Sequence, residues 1–167
     1  PAESAMAPFG VMSELYSIPV EGGRPTQILG TPALGVSYLG DGKSFVYEDK
    51  KGFEDKWRKH HTSSITRDIW LYDANTGHHT NLTDIAGEDR NPAVGADGKT
   101  VYFLSERNGG SFNVYSMNLD KPGSVKALTD FTTHPVRFLS RGGNDLLAFT
   151  YNGELYTCLL YTSDAAD

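Results

Sequence analysis

The sequence predicts an all-β fold: a partial β-propeller of four-stranded antiparallel blades, two complete blades flanked by two partial ones. A repeated phrase is the first reason. Asp68-Ile69-Trp70-Leu71-Tyr72 runs on to Asn81-Leu82-Thr83-Asp84, and Asn113-Val114-Tyr115-Ser116-Met117 runs on to Ala127-Leu128-Thr129-Asp130. The aromatic anchors Tyr16, Trp70, Tyr115 and Tyr156 stand 54, 45 and 41 residues apart, and strand-rich periods of about 40–50 residues mark propeller blades. The second reason is the turn Asp41-Gly42-Lys43, repeated as Asp97-Gly98-Lys99, each leading straight into an apolar strand. Third, Ile69-Trp70-Leu71-Tyr72 and Val101-Tyr102-Phe103-Leu104 are apolar at every position instead of alternating. Such a strand needs cover on both faces, and blades packed face to face provide it.

With strands named A to D from the axis outward, each blade follows in order. The first, partial blade (about 14–30) holds C at 14–19 and D at 25–29, joined across Gly22-Gly23. The second (31–84) has A at 34–38, B at 43–48, C at 68–73 and D at 79–83, with Thr76-Gly77 as its C–D turn. The third (85–130) has A at 91–95, B at 99–105, C at 112–118 and D at 125–129, with Pro122-Gly123 turning C into D. The last, partial blade (131–157) has A at 135–139, a Gly142-Gly143 turn, B at 145–150 and C starting at Glu154. Residues 1–157 therefore belong to one propeller domain. Asn81-Leu82-Thr83 spells a glycosylation acceptor, but its recurrence as Ala127-Leu128-Thr129 makes it the ending of strand D. Residues 158–167 break the repeat and look like translated sequencing-adapter read-through, so they are expected to be a non-native tail.

Composition narrows the function classes. A chain of 167 residues with 38% hydrophobic residues is globular, not disordered. The net charge of −6 and the lack of a basic stripe argue against nucleic acid as a partner. No apolar run nears the roughly 18 residues of a membrane helix, so no membrane partner is expected. The sole cysteine, Cys158, can build neither a disulfide framework nor a cysteine metal site. The chain starts Pro1-Ala2-Glu3 with no initiator Met, so the lack of a visible signal peptide carries little weight.

One blade breaks the period. Residues 48–67 separate its strands B and C, where the next blade needs only Glu106 to Ser111. Long insertions on a rigid scaffold tend to be functional. In an up-and-down blade the A–B and C–D turns share one face, and the B–C and D–A connections share the other. The second face gathers the 48–67 insertion, the 84–91 loop, Glu106-Arg107-Asn108 and the approach to His134. It is the expected contact face for peptide or partner, through Trp57, Arg58, His60, His61, Arg67, Glu88, Arg90 and His134. Each has a plainer reading. Trp57-Arg58-Lys59 can be a solvated loop paired with its own Glu54-Asp55. Arg67-Asp68 and Glu88-Asp89-Arg90 can be salt bridges between blades rather than a bidentate clamp on a peptide end. His60-His61 and His78-His79 fall on opposite faces with no further ligand, so no metal or other cofactor is expected. No serine sits in a Gly-x-Ser-x-Gly elbow, and no catalytic residue is assigned.

The unit Asn91-Pro92, Asp97-Gly98-Lys99-Thr100-Val101-Tyr102-Phe103, Asn113-Val114-Tyr115 and Leu128-Thr129 resembles the repeat shared by TolB and tricorn protease. The segments 51–70, 87–92 and 133–139 are more specifically similar to the first propeller of bacterial tricorn-like serine peptidases. Gly95-Ala96-Asp97-Gly98 and Leu39-Gly40-Asp41-Gly42 depart from the usual serine-proline-aspartate-glycine, which loosens the link to TolB itself. The resemblance, over about residues 1–157, implies a parent with further blades, a PDZ domain and a peptidase core that cleaves oligopeptides. The propeller would admit or guide peptides without breaking bonds. The implied partners are peptide substrates and the remaining domains of the parent. The parent's homo-oligomerisation stays open, and its expected location is the cytoplasm, with the periplasm as the alternative. A non-enzymatic TolB-like binding propeller and the propeller of a prolyl-oligopeptidase-type enzyme are the competing readings.

Overall fold

The computed structural model describes residues 2–3, 13–51, 57–59 and 65–160. Its strands form four antiparallel sheets. The first holds β1 (Ala2–Glu3), β2 (Ser13–Ser17) and β3 (Thr26–Leu29), and the second β4 (Ala33–Tyr38), β5 (Phe45–Asp49), β6 (Ile69–Asp73) and β7 (His78–Asn81). The third holds β8 (Asp89–Val94), β9 (Thr100–Ser105), β10 (Asn113–Asn118) and β11 (Lys121–Ala127). The last is β12 (Arg137–Arg141), β13 (Leu146–Tyr151) and β14 (Glu154–Leu159). Every strand in the complete sheets pairs with its sequence neighbour, the meander of a propeller blade. Two four-stranded blades are thus flanked by two three-stranded ones. The first blade has one strand more than the sequence suggests, because Ala2–Glu3 pairs with Ser13 and Glu14. Among the described residues no helix is long and apolar enough to cross a membrane.

The core divides at the blade interfaces. Leu15 and Leu29 meet Ala33, Phe45 and Tyr47 between the first two blades. Val46 and Ile69 meet Val94, Val101, Phe103, Tyr115 and Met117 between the second and third. Tyr102, Leu104, Phe112 and Val114 meet Val136, Leu139, Leu147 and Phe149 between the third and fourth. Strand β9 faces both of the last two interfaces and is buried from Val101 to Ser105, which is why it reads as a continuous apolar run. Strand β6 is half-buried beyond Ile69.

The repeated phrases have local causes. Asp41 Oδ1 accepts the backbone N–H groups of Lys43 and Ser44 at 2.9 and 2.8 Å, and Asp97 Oδ1 accepts those of Lys99 and Thr100 at the same distances. Each aspartate so closes its A–B turn, with Gly42 and Gly98 in the left-handed region. At the other end Thr83 Oγ1 accepts the Ile69 N–H and Thr129 Oγ1 accepts that of Val114, both at 2.9 Å. The Leu-Thr ending is therefore a latch that ties the outer strand back to strand C. Two turns differ from expectation. Around Gly142-Gly143 the left-handed residue is Asn144, at φ 55°, and Gly123 lies within β11, after a tighter turn that pairs Asn118 with Lys121.

The inner strands share one irregularity. Leu34 pairs with Glu48 and Ser37 with Val46, so β4 advances three residues against two of β5. The same step separates Arg90 from Ala93 and Arg137 from Ser140. Each is a β-bulge, and its first residue is left-handed: Gly35 at φ 56°, Asn91 at φ 50° and Phe138 at φ 57°. Glycine and asparagine tolerate that region, whereas a bulky phenylalanine there stores strain.

Candidate functional site

Strand β5 ends at Asp49 and β6 begins at Ile69, and between them Trp57 and Arg58 contact the third and fourth blades. Arg58 is the anchor. The guanidinium enters the third blade, where Nη1 donates to Glu106 Oε1 at 2.5 Å and Nη2 donates to Glu88 Oε2. Its side chain is 1% exposed and that of Glu88 is fully buried. Glu88 is the hub, also taking Arg90 Nε at 2.5 Å and pairing with Arg67 Nε at 3.6 Å. Arg67 Nη1 in turn donates to Glu48 Oε2 at 3.1 Å, and the Glu88 backbone N–H donates to Glu106 Oε2 at 3.1 Å. Three arginines thus face three glutamates. Arg58 and Arg90 both lie over the Phe112 ring, 5.1 and 5.8 Å from its centroid.

The ionisation states follow from this packing. Burial pulls the Arg58 pKa down, but its bonds to Glu106 and Glu88 outweigh that and hold it above the ordinary value. Burial pushes the Glu48 carboxyl up, and the Arg67 charge recovers only part of the rise. Asp89 is also pushed up by burial, against the hydroxyl of Ser105 and the charge of Arg107.

A second arginine holds the insertion from outside. Arg137 Nη2 donates to the carbonyls of Trp57 and Arg58 at 2.9 and 2.8 Å, and its guanidinium lies 5.6 Å from the Trp57 ring centroid. Trp57 meets Phe138 edge-on at 5.6 Å. These residues line a groove of about 480 Å³ with Lys59, His134 and Asn152. Every one of them comes from a B–C or D–A connection or the adjoining strand end, the face that strand order singles out.

The structure brings Arg58, Arg67, Glu88 and Arg90 into one buried cluster, and sets Trp57 and His134 together on the groove. His60 and His61 lie outside the described residues, as do Glu54 and Asp55. The solvated-loop reading of Arg58 is corrected, since its partners lie in the next blade and are out of water. Glu48, Arg137 and Phe138 were not singled out by sequence. An alignment of the three inner strands would have exposed Phe138, which stands where Gly35 and Asn91 stand in the other blades. Among the described residues no group of three or more His, Cys, Asp or Glu side chains could hold a metal ion.

The family model for the tricorn protease N-terminal beta propeller domain matches residues 2–164. The chain belongs to that family. An uncharacterized protein of Agrobacterium fabrum, Atu1656, is 27% identical over 150 residues, 86% of this chain and 45% of that protein. The uncharacterized peptidase YuxL of Bacillus subtilis is 29% identical over 93 residues, 56% of this chain and 13% of the peptidase. The chain thus spans less than half the length of these relatives. The solved structure of a putative TolB from Agrobacterium tumefaciens superposes with a TM-score of 0.65 at 25% identity, covering 91% of this chain and 50% of that one. The crystal structure of the tricorn protease gives 0.64 at 21% identity, covering 92% and 15%, a likeness of fold.

Proposed function

We propose that these blades are part of the propeller of a tricorn-type serine peptidase that degrades oligopeptides. The B–C and D–A face guides peptides toward a catalytic core that this chain does not contain. The match to the tricorn N-terminal propeller over residues 2–164 carries the reading, and the likeness to a Bacillus subtilis peptidase supports it. The irregular insertion adds a physical reason. Burying three arginines against three glutamates is a costly way to fix a loop, and here it holds the exposed Trp57 over a groove on that face.

The test is recovery and expression of the whole reading frame. A fluorophosphonate probe should label one serine downstream of the propeller, and peptide hydrolysis should fall when the groove face is blocked. Exchange protection by peptide on the glycine-turn face alone would overturn the guiding role. A frame that ends after the propeller and hydrolyses nothing would favour a partner-binding propeller instead. The TM-score of 0.65 to a putative TolB supports that second reading.

A further inference from the structure

We propose that the Trp57–Phe138 groove binds a peptide segment that carries an aromatic side chain beside side-chain carboxylates. The inference rests on the peptide-handling reading above and narrows it to a class of sequence. Charge is the first argument. The chain carries a net −6, yet the groove is lined by the cations Lys59 and Arg137 and by no carboxylate among the described residues. Cationic lining on an acidic molecule is complementary to a local negative charge.

Shape is the second argument. Trp57 and Phe138 are 58% and 49% exposed, and their rings meet at 5.6 Å beside a space of about 480 Å³, room for a few side chains. Exposed aromatics of this kind accept another ring edge-on or stacked. Both are fixed in place before any ligand arrives. Arg58 and Arg137 pin the backbone of Trp57. Phe138 is presented by a bulge at φ 57°, a conformation that a phenylalanine holds only against strain. Nucleic acid fits less well, because among the described residues lining the groove the cations are Lys59 and Arg137, too few to track a phosphate backbone.

The experiment uses the longest natural polypeptide that carries these blades and a labelled hexapeptide, blocked at both ends, with glutamates flanking a phenylalanine. Fluorescence anisotropy should show saturable binding that weakens at least tenfold when the glutamates become glutamines, and also in Lys59→Glu. Phe138→Gly should weaken it by a similar factor while melting no lower than the parent, since glycine relaxes at that φ. Equal affinity for the glutamine peptide, unchanged affinity in both variants, or tighter binding of a single-stranded oligonucleotide would each overturn the proposal. If the parent hydrolyses neutral peptides but does not bind the acidic one, this inference falls and the peptidase reading stands. Failure to bind or cleave any peptide removes both.

Discussion

Arg58 and Glu88, thirty residues apart in the chain and in different blades, form an ion pair with both side chains out of water. The pair ties Arg58, from the connection between β5 and β6, into the third blade. Removing one member of a buried ionic cluster leaves its partners charged and uncompensated. Glu88→Gln should therefore cost about 3–5 kcal/mol in denaturant unfolding, and proteolysis should then cut within residues 52–66. Arg58→Met should cost a similar amount, because Glu88 keeps Arg67 and Arg90 but buried Glu106 loses the arginine that pairs with it.

Glu48 gives the cluster a pH dependence. Its pKa in the fold lies above the ordinary 4.5 because burial disfavours the charged form. The stability tied to its protonated form is fully present below 4.5 and is lost as pH rises through the folded value. Glu48→Gln should thus gain on the parent as pH rises from 4 to 8, measured as the difference between their melting temperatures. Parallel pH profiles would contradict this.

At Gly35 the backbone is left-handed at φ 56°, and a Cβ built there would sit 2.8 Å from Glu48 Oε1. That oxygen belongs to a carboxylate held by Arg67, so it cannot simply swing away. Gly35→Ala should cost about 1–2 kcal/mol for the backbone alone, and more for the contact. Asn91→Gly, at the equivalent rung, should be close to neutral.

The outer-strand latches predict a paired effect. Thr83→Val removes the acceptor of the Ile69 N–H at a buried position, which should cost about 1–3 kcal/mol. Amide exchange at Ile69 should rise with it. Thr129→Val should do the same at Val114, and a variant with no change in exchange would show that the latch is dispensable.

The last sheet leaves Leu155 at 72% exposure, with Leu146, Tyr156 and Leu159 also exposed. An uncovered apolar sheet with an unpaired edge associates. The 167-residue polypeptide alone should sediment as oligomers, and Leu155→Lys should shift it toward monomer. A monodisperse, sharply melting monomer would contradict this.

The blade plan was legible because its causes are local. Asp41, Asp97, Thr83 and Thr129 act on backbone groups close by in the chain or one strand away, so each blade repeats them. The two-residue strand β1 was not legible, being too short to carry a pattern. The face holding the groove could be assigned from strand order alone. The destination of Arg58 could not, because Lys56-Trp57-Arg58-Lys59 has the composition of a solvated loop, and its partners lie 30 and 48 residues away. Phe138 was hidden for another reason. Its role depends on a backbone twist that the identity of a phenylalanine argues against.

The shared bulge in the inner strands has an evolutionary reading. Because the strand realigns with its neighbour after one extra residue in each of the three blades whose inner strand is described, the residue at that rung can change from glycine to asparagine to phenylalanine while the pairing around it stays put. A lineage can therefore vary what it displays near the axis one blade at a time, by point substitution, leaving the hydrogen-bonded frame intact.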